Sequence, residues 1–303
     1  MHVLITGAWN GAERHIPELE ALGHSVVFMQ QERDVLPCAP DWVEAVVCNG
    51  LFLYHPIEAF TNLRLIQLTS AGYDRVPMDY VRERGIEIHN AHGVYSVPMA
   101  EFAVAGVLQI YKCSRFFYEN QMAHRWEKRR DLLELYGKTV VVVGCGQLGT
   151  ECARRFRAFG CRVVGLNRTS RENECFDTVL PLTELERVLP TADVLVLSLG
   201  MDASTRGLMN CERFGLMKAG AVLVNLARGG LVEQSALLAS LDRLGGAVLD
   251  VFEEEPLPPD SPLWDAENVI LTPHNSFVGD GNGERLKNLV IQRFSLSLSM
   301  KTI

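Results

Sequence analysis

Short apolar runs alternate with stretches of helical periodicity along almost the whole chain, the pattern left by parallel strands joined through crossover helices. The runs predict strands at Val3–Thr6, Val26–Met29, Ala45–Cys48, Leu65–Thr69 and Glu87–His89. A second series is predicted at Val140–Val143, Arg162–Leu166, Val194–Ser198, Val222–Leu226, Ala247–Val251 and Val269–Thr272. Between the two lies a stretch from about Pro98 to Leu135 that reads as predominantly helical and is too long for an ordinary crossover, which puts a domain boundary near its start. The last segment, Glu284–Met300, has helical spacing with no strand after it, so it can pack back on the first domain. A chain of 303 residues also exceeds the roughly 250–300 at which single cores usually divide.

Composition narrows the function classes. The chain is 48% hydrophobic and 22% charged, and no run approaches the ~18 apolar residues of a membrane helix, so no membrane partner is expected. A net charge of −8 with few clustered Lys or Arg argues against a nucleic-acid surface. The basic run Lys128–Arg130 reads as a solvated helix face. The opening Met-His-Val-Leu-Ile-Thr-Gly looks like a first strand rather than a leader, which favours the cytoplasm. Eight cysteines include no Cys-x-x-Cys and mostly fall in apolar runs, so reduced, packing thiols are expected, with neither disulfides nor a metal site.

Two glycine loops compete for a cofactor. Gly144-Cys-Gly146-Gln-Leu-Gly149 follows one apolar run directly and precedes the helical run Glu151–Phe159. In that context the first glycine permits a tight turn, the second a close approach of backbone to pyrophosphate, and the third close packing of helix on strand. The rival, Thr6-Gly7-Ala-Trp-Asn-Gly11, has Glu13 where a third glycine would fall, and no tyrosine in the chain has a lysine four residues later, as short-chain dehydrogenase chemistry needs. Gly7 and Gly11 therefore read as turn residues. Beyond the second strand of the cofactor domain, 18 residues past Gly149, stands Asn167 where an acid would select NAD; Arg168, Thr169, Ser170 and Arg171 follow, a cluster suited to a 2′-phosphate. NADP is the expected cofactor, with NAD the alternative.

Three further segments each follow or end a candidate strand: Val224-Asn-Leu-Ala-Arg228-Gly-Gly, Leu249-Asp250-Val-Phe-Glu-Glu-Glu255-Pro256 and Leu271-Thr-Pro273-His274. Active sites in open α/β sheets lie beyond the strands' carboxyl ends, so the three can share one crevice. Together with Leu68-Thr-Ser-Ala-Gly-Tyr-Asp74, Ser96-Val-Pro-Met-Ala-Glu101 and Ser204-Thr-Arg-Gly207 they make the chain resemble, over nearly its whole length, the D-isomer-specific 2-hydroxyacid dehydrogenases.

That resemblance implies two doubly wound parallel-sheet α/β domains, with a Rossmann cofactor domain (residues 96–275) inserted in a flavodoxin-like substrate domain (1–95 and 276–303). It implies a hydride transfer between NAD(P)H and a small 2-keto acid, glyoxylate or hydroxypyruvate first, giving the 2-hydroxy acid. Arg228 would bind the substrate carboxylate, His274 would be the acid/base and Glu255 its partner. Residue chemistry agrees: arginine offers a planar fork to a carboxylate, and histidine alone has an unperturbed pKa, about 6.5, near neutrality. Glu253 and Glu254 compete with Glu255, but the family pattern sets the working carboxylate directly before proline. Ser70, Ala71 and Gly72 match the loop whose N–H groups hold the substrate carboxylate. Gln147, Leu148, Leu199, Ala227 and Asp250 match cofactor positions, Leu199-Gly200 replacing a residue followed by proline, and Asn275 and Ser276 fall beside the nicotinamide. The helix from about Pro98 to Tyr111 implies a homodimer. The chain ends too soon after His274 for an appended regulatory domain, so serine feedback is not expected. Two other functions share this scaffold: oxidation of another small anion, although formate dehydrogenases carry glutamine beside the histidine, and non-catalytic NAD(H) sensing, as in corepressors of this fold.

Overall fold

The computed structural model describes residues 1–169 and 172–299, in two compact units: Met1–Tyr95 with Gly279–Ile303, and Ser96–Val278. In the first unit β1 (His2–Thr6), β2 (Ser25–Met29), β3 (Ala45–Cys48), β4 (Leu65–Leu68) and β5 (Glu87–His89) form a sheet of order β2-β1-β3-β4-β5 in which every pair is parallel. This is the flavodoxin-like order. β3 and β4 are buried at every position, as strands covered on both faces must be, which is why they read as unbroken apolar runs. Side chains alternate between the faces. Leu4, Val46, Cys48 and Ile66 pack with Phe60 and Val81 on one, while Val3, Ile5, Ala45 and Val47 pack on the other with Leu19 and with Leu286, Val290 and Phe294. Those last three, four residues apart on the helix Asn282–Ser299, form the stripe that returns the end of the chain to this unit.

In the second unit β6 (Thr139–Val143), β7 (Arg162–Asn167), β8 (Thr178–Pro181), β9 (Val194–Leu197), β10 (Val222–Asn225), β11 (Gly246–Leu249) and β12 (Val269–Leu271) form an all-parallel sheet of order β12-β11-β10-β9-β6-β7-β8. It is the doubly wound dinucleotide-binding order with one strand added, and the winding reverses between β6 and β9. Val141 and Val143 of β6 enter one core, Val140 and Val142 the other. Among the described residues no helix is long and apolar enough to cross a membrane, and no cluster of His, Cys, Asp or Glu is placed to hold a metal ion.

Two elements differ from the sequence expectation. β8 was not foreseen: it is a four-residue edge strand, Thr-Val-Leu-Pro, half-buried and closed by the proline that an edge tolerates. The helical stretch expected to reach Leu135 consists of two helices, Ser96–Tyr111 and Ser114–Met122, and the chain from Ala123 to Leu135 is not helical. His124 turns to φ 52, and the segment Arg125–Asp131 that follows is exposed throughout and has no apolar stripe to dock a further turn. Lys128–Arg130 is thus solvated, but on irregular chain rather than on a helix face.

Phe294 is fully buried against β1 and β3, so Phe294→Ala should destabilise the first unit by about 3–5 kcal/mol. Hydrogen exchange of the β1 and β3 amides reads this loss, and unchanged protection there would show that the terminal helix is not part of that core.

Candidate active site

The glycine loop is built to present backbone rather than side chains. At the end of β6 the Gly144 N–H donates to Leu166 O (2.7 Å), and Gly144 takes φ 104. Gly146 caps the helix Gln147–Ala158 in an extended conformation with no side-chain acceptor, which leaves first-turn N–H groups for a ligand. A Cβ on Gly149 would lie 1.9 Å from Gly144 O, whereas one on Gly146 would meet nothing within 4 Å. The helix therefore sits directly on the loop while the loop's outer edge stays open, a cradle that fits a pyrophosphate. Ser198 Oγ at the end of β9 donates to Gly144 O (2.7 Å) and fixes the loop from the far side of the switch point. Gln147 is exposed and Leu148 packs into the core. Cys145, between the two glycines, points its thiol at Leu166 O (3.6 Å), and burial raises its pKa to about 11, so it packs and does not react. Gly7, in the rival loop, lies so close to the end of β2 that a Cβ would stand 2.3 Å from Gln30 O; its tightness serves packing.

Beyond β7 the Asn167 amide donates to Thr169 O (3.1 Å) and closes its own turn, and Thr169 is exposed. Ser170 and Arg171 lie outside the described residues. Arg168 Nη1 donates to Asp202 Oδ2 (3.2 Å). Asp202, in the loop after β9, went unnoticed in the sequence; its signal is Asp202-Ala-Ser204-Thr205, an aspartate whose side chain takes up the N–H two residues on. Leu199 in the same loop is half-buried and lies with its backbone against Gly144.

Arg228, Glu255 and His274 stand beyond the carboxyl ends of β10, β11 and β12. After β10, buried Asn225 closes a turn by donating to Arg228 O (3.0 Å) and accepting from Ala227 N–H (3.2 Å). Ala227 is buried, and Arg228 Nη1 donates to Ala227 O (2.8 Å). A Cβ on Gly229 would stand 1.8 Å from Phe252 O, so glycine alone lets the Arg228 turn lie against the loop after β11. In that loop the Phe252 N–H donates to Glu255 Oε1 (3.0 Å), and Glu255 Oε2 lies 2.8 Å from His274 Nδ1. Glu253 is turned elsewhere, its carboxylate accepting from Gln234 N–H (3.2 Å). Asp250, 1% exposed, gathers the turn that carries the histidine. Its carboxylate accepts from Thr272 Oγ1 (2.7 Å), Asn275 N–H (2.7 Å), Ser276 N–H (3.0 Å) and Ser276 Oγ (2.5 Å), and its carbonyl accepts from His274 N–H (2.8 Å). A cavity of about 640 Å³ lined by Phe252, Leu257, Trp264 and His274 adjoins the pair.

Residues 104–276 match the model of the D-isomer specific 2-hydroxyacid dehydrogenase NAD-binding domain. The chain is 32% identical over 242 residues to a glyoxylate reductase of Korarchaeum cryptofilum, covering 78% of this chain and 73% of that one. The chain belongs to this family. As a 2-hydroxyacid dehydrogenase it is an oxidoreductase whose second unit binds a nicotinamide dinucleotide. A hydroxypyruvate reductase of Blautia hydrogenotrophica is 29% identical over 292 residues, covering 90% of this chain and 88% of that one. A family member from Xanthobacter autotrophicus, solved with NADPH, superposes with a TM-score of 0.79 at 27% identity, covering 98% of this chain and 95% of the other.

In this dehydrogenase the second unit thus carries the glycine loop, Asn167, Arg168, Leu199, Ala227, Arg228, Asp250, Glu255 and His274 on one edge of its sheet. Ser70, Ala71 and Gly72 follow β4 in the first unit. There the carbonyl groups of Thr69, Ser70, Ala71 and Gly72 accept from Tyr95 Oη, Ala91 N–H (2.8 Å), Asn90 Nδ2 (2.7 Å) and Ser70 Oγ (3.2 Å) respectively. The sequence did not disclose that Asn225, Thr272 and the Phe252 N–H hold the turns of Arg228, His274 and Glu255; a buried asparagine at a strand's exit was the one available sign. Gly229→Ala should push Arg228 away from the Glu255 loop and lower kcat/KM by roughly 100-fold, the cost of an ångström-scale misplacement, with NADPH binding retained. An unchanged kcat/KM would show that this close approach does not matter.

Proposed function

We propose that this dehydrogenase reduces small 2-keto acids, glyoxylate and hydroxypyruvate first, to the 2-hydroxy acids, and prefers NADPH to NADH. The observation that carries the proposal is the His274–Glu255 pair at 2.8 Å, held on the same sheet edge as a glycine loop that fits a pyrophosphate. Two relatives named for glyoxylate and hydroxypyruvate reduction support the substrate class. Asn167 in place of an acid, with Arg168 beside it, supports NADPH, as does the family member solved with it.

Gly144, Gly146, Gln147, Leu148 and Gly149 would hold the pyrophosphate of the dinucleotide, which when bound would supply the hydride for the keto carbon. Arg228 takes the substrate carboxylate in its planar fork and polarises the keto oxygen. The match of Ser70, Ala71 and Gly72 to the family's carboxylate-holding loop supports a substrate role for their N–H groups, the carbonyl groups of the loop being engaged within the first unit. With Nδ1 turned to Glu255, His274 delivers its proton from Nε2 to the oxygen as charge develops there. Asp250 serves by holding the turn, since its four hydrogen bonds from Thr272, Asn275 and Ser276 use the acceptor capacity of a carboxylate. On this assignment the Ser96–Val278 unit is the cofactor domain and the remainder the substrate domain. We also take the chain to be a homodimer: Tyr118, Met122, Trp126 (95% exposed) and Tyr136 leave an apolar surface after the helix Ser96–Tyr111 that a second copy would cover, and a monomer in sedimentation would exclude this.

The test is a panel of small 2-keto acids with NADPH and with NADH. Glyoxylate or hydroxypyruvate should turn over with NADPH favoured in kcat/KM, and Arg228→Lys should lose about 10²-fold or more, because an ammonium lacks the fork. Absence of turnover would leave a binding protein, a preference for NADH beyond about tenfold would refute the cofactor choice, and full activity in Arg228→Lys would place the carboxylate elsewhere.

A further inference from the structure

In the NADPH reading Arg168 is the cation reserved for the 2′-phosphate, yet it already holds an anion. Its Nη1 donates to Asp202 Oδ2 at 3.2 Å. Resting on that reading, we propose that Asp202 is a second, opposing determinant of cofactor choice: it occupies on Arg168 the place a ribose 2′-phosphate would take, and so holds the preference for NADPH below what Arg168 alone would give.

The topology puts the pair where it can act. β7 and β9 flank β6 in the sheet, so Arg168, directly after β7, and Asp202, five residues past the end of β9, leave the sheet on either side of the glycine loop. Their ion pair bridges two loops of the edge at which a dinucleotide is bound, beside the position that discriminates the adenosine ribose.

The two partners are not equally free. Asp202 is fixed by its own loop: Oδ1 accepts from Ser204 N–H (2.9 Å), Ser204 Oγ (2.6 Å) and Thr205 Oγ1 (3.3 Å), and the Asp202 N–H donates to Thr205 Oγ1 (2.8 Å). The Ser204 hydroxyl and then its amide hold this carboxyl below the ordinary range, so it is anionic wherever the enzyme works. Arg168 is 76% exposed on a long side chain and can turn to another acceptor. Exposed ion pairs contribute little, whereas a phosphate takes a guanidinium in two parallel charge-assisted bonds. A 2′-phosphate therefore wins Arg168, but at a reduced margin, because a fixed carboxylate must be displaced and stays nearby as a like charge. NADH has no such group and meets neither cost.

The test is equilibrium binding, by calorimetry, of NADPH, NADH, 2′-phospho-AMP and AMP to the enzyme without substrate. Asp202→Asn keeps the shape and an oxygen for Ser204 while removing the charge. NADPH and 2′-phospho-AMP should bind it about three- to tenfold more tightly than they bind the wild type, with NADH and AMP unchanged. The gain should be smaller in the Arg168→Ala background, since part of it comes from releasing Arg168. An NADPH affinity unchanged in Asp202→Asn, while Arg168→Ala still weakens NADPH selectively, overturns this inference and leaves the NADPH reading standing. A ratio of NADPH to NADH affinity unaffected by Arg168→Ala overturns both. Should Asp202→Asn loosen the loop, all four ligands weaken together; Asp202→Ser, which also removes the charge while keeping a small acceptor, then decides, and loss of NADPH affinity there too counts against the inference.

Discussion

The buried carboxylate of Asp250 is the constraint on which the site depends. It lies just past β11 with almost no exposure, and a buried anion is tolerable only when its lone pairs are met. They are met from the turn after β12, by Thr272, Asn275 and Ser276. Binding that turn back onto β11 fixes His274 at φ 50, a left-handed conformation that a non-glycine residue adopts only when its surroundings impose it. The ring then meets Glu255, which is oriented in turn by the Phe252 N–H. Without the carboxylate, the buried N–H and hydroxyl of Ser276 would lose their partner at about 1–3 kcal/mol each, and the turn that carries His274 would lose its anchor.

Cofactor and chemistry are served by different kinds of group. The glycine loop offers N–H donors and close backbone approach, and Cys145, between its first two glycines, is packed away with a raised pKa. Arg228, Glu255 and His274 present side chains, and their places are set by nearby backbone contacts: Asn225 closes the Arg228 turn, Gly229 allows that turn to lie on Phe252, and the Phe252 N–H orients Glu255. Between the loops after β7 and β9 the Arg168–Asp202 ion pair is, by contrast, exposed.

The central strands are buried on both faces and continuous in apolar sequence, and the edge strands β2, β5 and β12 fall between turn signals, so eleven of the twelve were legible, as was the glycine loop, whose meaning came from the strand before it and the helix after. β8 was hidden because an edge strand of three half-buried residues and an exposed proline has no such run. Ala123–Leu135 passed for helix because it follows helices and holds no early proline or glycine, while its lack of an apolar stripe went unweighed. At the site, the segments that carry Arg228, Glu255 and His274 stand out in the sequence by their distinctive order, and the structure brings Glu255 and His274 together. The work of Asp250 could not: an aspartate at a strand's end looks the same whether it faces a ligand or its own chain, and only the positions of Thr272 and Ser276 decide. Asp202 was hidden for a related reason, since an ion pair between two loops leaves no trace in the spacing of either.

We infer that His274, so held, gives up the proton that accompanies hydride transfer. Single-turnover reduction of glyoxylate or hydroxypyruvate by enzyme preloaded with NADPH isolates that step from product release. The His274→Ala variant should bind NADPH as the wild type does and lose roughly 10²–10⁴-fold in the single-turnover rate, the range of a positioned general acid. A single-turnover rate equal to that of the wild type would contradict the account.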